Sequence, residues 1–202
     1  GEVNYSKMVH GEQEVILHKP LPTSATVRST SKIANIYDKE KAALVILETT
    51  AVDASDGEKM FTNISKLFFR GEGGWGGDRG PNEKFEFPDR DADHVIQYAT
   101  RTDQALLYRL NGDRNPLHSD PSFAALGGFP KPILHGLCTY GFTGRALLHA
   151  VCDSNPELFR SMEGRFSSPV MPGEDLSIHI WVDGQQAKFR TYASDRVVLD
   201  NG

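Results

Sequence analysis

The stretch from Leu134 to Val151, LHGLCTYGFTGRALLHAV, constrains this chain more than any other. It has helical spacing and is apolar nearly all round, with small residues at Gly136, Gly141 and Gly144. A helix without a wide polar face must be buried on most sides, and its glycines let strands approach closely. Extended runs follow at 163–168, 175–183 and 187–193, separated by Pro-Gly and Asp-Gly turns of the kind that join hairpins. One long helix followed by hairpin-linked strands is hard to place as an all-parallel α/β protein and predicts an α+β domain with an antiparallel sheet wrapped around a central helix.

The first eighty residues read differently. Residues 14–19, 26–36, 42–52 and 59–69 are rich in β-branched and apolar side chains and are punctuated by Pro20-Leu-Pro22, the charged turn 38–41 and the turn 53–57. They predict an antiparallel meander. Residues 70–81 hold Gly71, Gly73, Gly74, Gly76, Gly77 and Gly80, without the Gly-Lys-Ser/Thr of a phosphate loop, and read as a flexible linker. The boundary falls there, giving halves of 1–80 and 81–202. Residues 85–91 read as a short extended entry. Residues 93–111 have roughly helical spacing with an interruption at 100–103, and Pro121 to Leu126 reads as one helical turn with Ser119 or Asp120 near its cap.

Val9-His-Gly-Glu12 and Leu134-His-Gly-Leu137 echo one another, each ahead of a run of strands. Two copies of one module fit the length. After His135-Gly136 comes the apolar helix. After His10-Gly11 the chain goes straight into a strand, with none of its own before them. The first copy therefore lacks its full helix, which would leave a groove able to hold a long apolar ligand. Gly1 is not a methionine, and a longer protein is expected to have lost its beginning here.

The chain has 202 residues, 39% hydrophobic and 24% charged, with a net charge of −5. No basic block marks a nucleic-acid partner, and no apolar stretch approaches the ~20 residues of a membrane helix. Cys138 and Cys152 lie in the apolar segment, fourteen residues apart. On a helix that is about 21 Å of rise, too far for a disulfide, so both read as reduced packing residues.

The chemistry concentrates in YRLNGDRNPLHSDP, residues 108–121. Asp113, Asn115 and His118 place an acid, an amide and an imidazole within six residues. Pro116 has no N–H and disfavours the α conformation in the residue before it, so the segment bends. Three polar groups on a bend can converge on one small molecule, and a carboxylate and an imidazole around one water form a general acid–base pair. The same residues are also ordinary turn formers, in which Asx side chains bond their own backbone. Both readings stand.

Three spaced motifs in order, YRLNGDRNPLHSDP, KPILHGLC and RFSSPVMPGE, together with HGEQ at 10–13 and KPLP at 19–22, resemble the (R)-specific 2-enoyl-CoA hydratase 2 family. These are MaoC-like double hot-dog proteins that include the hydratase part of the peroxisomal type 2 multifunctional enzyme. The resemblance covers nearly the whole chain. It implies a lyase of fatty-acid β-oxidation that adds water to a trans-2-enoyl-CoA to give an (R)-3-hydroxyacyl-CoA. It also implies a peroxisomal setting, no cofactor or metal, and a homodimer. The positions matching the catalytic pair are Asp113 and His118. Asn115 matches a third polar group, and Gly136 the glycine whose N–H faces the thioester oxygen. His10, Gly11, Lys39 and Phe166 match acyl-CoA contacts. Arg114, expected to point outward and given no catalytic role, and Pro116 and Leu117 join these as motif positions near substrate. The first half would accommodate the acyl chain and the second would carry the catalysis.

Attack of water at the β-carbon builds enolate charge on the thioester oxygen, which a backbone N–H at a helix N-terminus stabilises. Asp113 and His118 would hold one water between them, with Asn115 orienting it, and either could donate the proton. His135 reads as a helix-start residue bonding backbone, Tyr108 and Arg109 as braces, Lys39 as a solvated turn residue or a CoA phosphate contact. His18, His94, His149 and His179 read as surface or packing residues. A hot-dog thioesterase and a non-catalytic acyl-CoA-binding scaffold are the alternatives.

Overall fold

The computed structural model describes residues 8–82 and 85–202; the expected loss of sequence before Gly1 lies outside them. The chain packs as two compact units, residues 1–86 with 155–165, and residues 87–154 with 166–202. A single cut at residue 80 does not reproduce this division, because the segment 155–165 returns to the first unit.

In the first unit, β1 (Met8–Leu17), β2 (Val27–Asp38), β3 (Ala42–Asp53) and β4 (Lys59–Arg70) pair antiparallel in the order β2-β3-β4-β1. β6 (Ser161–Phe166) adds on the far side of β1, with Glu14 opposite Glu163. That pairing holds the returning segment. The meander was legible because its strands are β-branched and its turns charged. β1 begins earlier than predicted, so His10 and Gly11 lie inside a strand, at a register shift between His10 and Glu12. The core of this unit is built from Leu44, Ala51, Met60, Phe69 and Met162. β2 is an edge strand, exposed from Val27 to Ile36 and studded with Arg28 and Lys32, which discourage edge-to-edge pairing. Among its described residues this unit has no α-helix, only a 3₁₀ turn at Pro156–Leu158.

The glycine-rich stretch is not a flexible linker. Asp38 is buried, and its carboxylate accepts hydrogen bonds from the N–H groups of Glu40, Gly74, Gly76 and Gly77, at 2.7–3.3 Å. Gly74 and Gly76 take φ of +86° and +78°, which a side chain would resist. The glycines wrap the loop around one anion.

In the second unit, β5 (His94–Ala99), β7 (Asp175–Asp183), β8 (Gln186–Ala193) and β9 (Arg196–Asp200) form an antiparallel set in the order β9-β8-β7-β5. β7 alternates cleanly: Leu176, Ile178 and Ile180 are fully buried while Ser177 and His179 are partly exposed. The helix α3 (Gly136–Val151) packs on β7 and β5. It buries Cys138, Thr139, Thr143, Ala146 and Leu147 and leaves Gly141, Arg145 and His149 exposed. The exposed residues fall on one narrow stripe, so the helix is buried or partly buried on most sides, as its composition predicts. Its buried threonine is satisfied: Thr143 Oγ1 donates to the Thr139 carbonyl or pairs with Thr191 Oγ1 at 2.7 Å. Both cysteines are free thiols, and burial pushes that of Cys138 up to about 11.

The region 93–111 corrects a period reading. Residues 94–99 form an edge strand with alternating exposure, and the helical part is confined to α1 (Gln104–Tyr108) and the 3₁₀ turn at Arg109–Asn111 that follows it. Val95, Tyr98, Ala105 and Leu106 mimicked a helical stripe because the spacing ran across the turn at 100–103, which separates two elements.

Candidate functional site

The chemistry-bearing loop connects α1 to α3. A 3₁₀ turn at Arg109–Asn111 ends on Gly112 in the left-handed region, φ +110°. Asp113 Oδ1 then accepts from the Asn115 N–H at 3.1 Å, and Asn115 Oδ1 accepts from the Leu117 N–H at 3.0 Å. Pro116 opens a second 3₁₀ turn, Pro116–His118, whose fixed φ suits a first helical position. Asp120 caps α2 (Pro121–Leu126) by accepting from Ser122 and Phe123. The turn reading is borne out by the Asx bonds that make the bend, and the same bend carries the side chains on which the chemical reading depends.

The bend aims His118 inward. Its Nδ1 lies 2.8 Å from the Ile133 carbonyl. A carbonyl only accepts, so Nδ1 carries the proton and neutral His118 presents a bare lone pair at Nε2. Ligand atoms of Asp113, His118 and His135 all lie within 4.8 Å of one another. Burial holds the His118 imidazole below its ordinary pKa, against the bond to Ile133 and the nearby Asp113 charge. His135, 1% exposed, stacks on His118 with ring centroids 3.8 Å apart and planes at 27°. Its other neighbour is Tyr108, at 4.7 Å between centroids. Burial, then the neighbouring His118, holds the His135 pKa down as well.

His135 is also the N-cap residue of α3, so Gly136 is the first helical position. The earliest N–H groups of a helix have no intrahelical acceptor and carry the positive end of its dipole. The Phe166 ring lies beside Gly136, where an added Cβ would sit 3.1 Å from two of its carbons. Leu117 is half-buried, its carbonyl 3.4 Å from the Ile133 N–H, while Arg114 and Pro116 are exposed.

Of the predicted positions, the second unit brings together Asp113, Asn115, His118, Gly136 and Phe166. His10, Gly11 and Lys39 belong to the first unit. There, Gly11 is buried against Phe68, whose ring carbons a Cβ would meet at 2.5 Å, so close packing accounts for the glycine. Lys39 Nζ lies 5.9 Å above the Tyr37 ring. Sequence reasoning correctly had His135 bonding backbone, through Nε2 3.3 Å from the Asp113 carbonyl, but missed its stacking on His118. No spacing rule pairs residues seventeen apart across an irregular loop.

Two units of antiparallel strands, the second carrying a long helix and an acid–imidazole loop at that helix's start, define a double hot-dog protein of the hydratase-like class. A family model described as the MaoC like domain matches residues 84–201, and one described as the MFE-2 hydratase 2 N-terminal domain matches residues 1–71; the chain belongs to this family. It is 46% identical to the 3-hydroxyacyl-thioester dehydratase Y of Mycobacterium tuberculosis, over 100% of this chain and 73% of that protein. It is 47% identical to a probable enoyl-CoA hydratase 2 of Dictyostelium discoideum, over 86% of this chain but 60% of that protein. The solved structure of full-length peroxisomal multifunctional enzyme type 2 from Drosophila melanogaster superposes with a TM-score of 0.87 at 40% identity, over 96% of this chain and 36% of that one. The chain thus spans only part of the relatives it matches.

Proposed function

We propose that this chain catalyses the reversible hydration of a trans-2-enoyl-CoA to the (R)-3-hydroxyacyl-CoA in fatty-acid β-oxidation; a relative named a probable enoyl-CoA hydratase 2 supports the hydration itself. The observation that carries this reading is the His118 imidazole. Its Nδ1–H is committed to a carbonyl, its Nε2 lone pair is bare, and the Asp113 carboxylate lies in the same 4.8 Å cluster. Nε2 takes a proton from a water as the water oxygen bonds to the β-carbon. The double-bond electrons move toward the thioester oxygen, where the Gly136 N–H stabilises the charge. The imidazolium, paired with the Asp113 carboxylate, returns its proton to the α-carbon, so water is added with nothing left over. Asn115 spends its carbonyl oxygen on the Leu117 N–H and has its amide N–H groups to orient the water.

Phe166, Leu117, Pro116 and Arg114 border the acyl thioester in this reading. The first half accommodates the acyl chain where the second half carries α3. The complete protein works as a homodimer in the peroxisome, the compartment named for the Drosophila relative.

The test is loss of the conjugated enoyl-thioester absorbance with trans-2-decenoyl-CoA, followed by chiral analysis. Loss without free thiol, giving the (R)-alcohol and abolished by His118→Ala, supports the hydratase. Release of free CoA moves the chain to the thioesterases.

A further inference from the structure

We propose that His135 is a positioning residue of this site: a single imidazole ties the Asp113 main chain and the face of the His118 ring to the first turn of α3. The proposal rests on the hydratase reading of the Asp113–His118 pair.

Three observations converge on it. The ring is 1% exposed and sandwiched, with His118 at 3.8 Å and Tyr108 at 4.7 Å between centroids. Its Nε2 lies 3.3 Å from the Asp113 carbonyl, an acceptor, so Nε2 carries the proton. Its Nδ1 is buried with no hydrogen-bond partner among the described residues. A bare lone pair there is tolerable, whereas a charged N–H with no acceptor would be costly. The side chain is therefore held as one neutral tautomer. The groups facing it are the His118 imidazole, the Asp113 carboxylate, the Arg109 guanidinium and the Tyr108 ring.

This accounts for what the loop lacks. Asp113 and Asn115 are exposed and held mainly by their own Asx bonds, which fix local shape but not the distance to α3. His118 is anchored in its ring plane by Ile133, a bond that alone leaves the ring free to rock about it. The His135 ring removes that freedom by lying flat against it, and its Nε2–H fixes the Asp113 main chain. Since His135 immediately precedes Gly136, the acid–base pair and the N–H proposed to meet the thioester oxygen are set relative to each other by one residue. Misplacement of about 1 Å in such an arrangement can cost on the order of 100-fold in rate.

The experiment uses the full chain with His135→Phe, which keeps a flat ring and loses the donor, and His135→Gln, whose amide can still reach the Asp113 carbonyl. Steady-state kinetics across pH are read beside nitrogen NMR of the His118 ring in the ligand-free protein. The expected result is a kcat about 10–100-fold lower for His135→Phe with KM within about threefold, partial recovery in His135→Gln, and a His118 signal that stays one Nδ1–H tautomer in His135→Phe, which keeps the stacked ring, and becomes a mixture in His135→Gln, which loses it. Unchanged kcat and an unchanged His118 tautomer in both variants would overturn the proposal. So would a loss of activity that merely tracks a loss of folded protein in both. Should the unmodified chain show no hydration while the His118 signal still responds to His135 substitution, the functional reading fails and the positioning role stands.

Discussion

Two aspartates on two glycine-containing bends show how differently one side chain can be used. Asp38 is 4% exposed and accepts four backbone hydrogen bonds, which saturate its carboxylate. The Gly74 N–H leads the contributions that hold it below the usual carboxylate range. Asp113 is exposed and accepts one backbone bond, from Asn115. The first has spent its acceptors on ordering the loop at 71–80 and has none left for chemistry. The second keeps oxygens open toward His118 and His135. A saturated carboxylate serves structure, and an unsaturated one beside an imidazole is available to a substrate.

The comparison breaks first at Asp113. Asp113→Asn should lower kcat by about 10²–10⁴-fold, the range for a general acid or base, while the thermal midpoint moves by no more than ~2 °C, as for a surface substitution. Equal activity in the variant would place the chemistry elsewhere. Asp38→Ala should do the reverse. It leaves N–H groups of the glycine loop without their acceptor, so thermal melting should show a midpoint several degrees lower, with kcat per folded molecule retained.

Acid separates the two regions further. A lowered Asp38 pKa means its contribution is present above the unfolded-state value of about 3.9 and is lost as pH falls through the folded one. The imidazoles of His118 and His135 are also depressed, by burial first, so the unfolded chain takes up protons before the fold does. Stability should therefore begin to fall below about pH 6.5 because of the histidines, and again below about pH 4 because of Asp38. Melting curves from pH 7 to 3 should show both steps, with Asp38→Asn reducing the lower one alone, to which Asp53, Asp93 and Asp103, also held below the usual carboxylate range, contribute the rest. The smallest effect belongs to Gly136→Ala. The N–H is kept and Phe166 must yield by a few tenths of an ångström, so kcat should fall by less than about tenfold, below ~1.4 kcal/mol.

Much of this was written in the chain. Strands at 42–53 and 59–70 follow from β-branched runs between charged turns, and α3 from a long apolar segment behind a loop of Gly and Pro. Asp113, Asn115 and His118 are legible because a short bent segment needs only local geometry to gather them. The strand at 94–99 was not, since an edge strand half open to solvent has too weak an alternation to outweigh a chance helical spacing that continues past the turn.

The sequence by itself determined the local periods, the breaks and which polar side chains one bent segment gathers, because these depend on neighbours a few residues away. Only the tertiary structure decided that the glycine loop closes on Asp38, that residues 155–165 join the first unit, and that His135 lies flat against His118. Each is a contact between groups far apart along the chain or across an irregular loop, where no residue spacing carries information. What brings such groups together is the burial of apolar surface and the need to satisfy buried polar atoms.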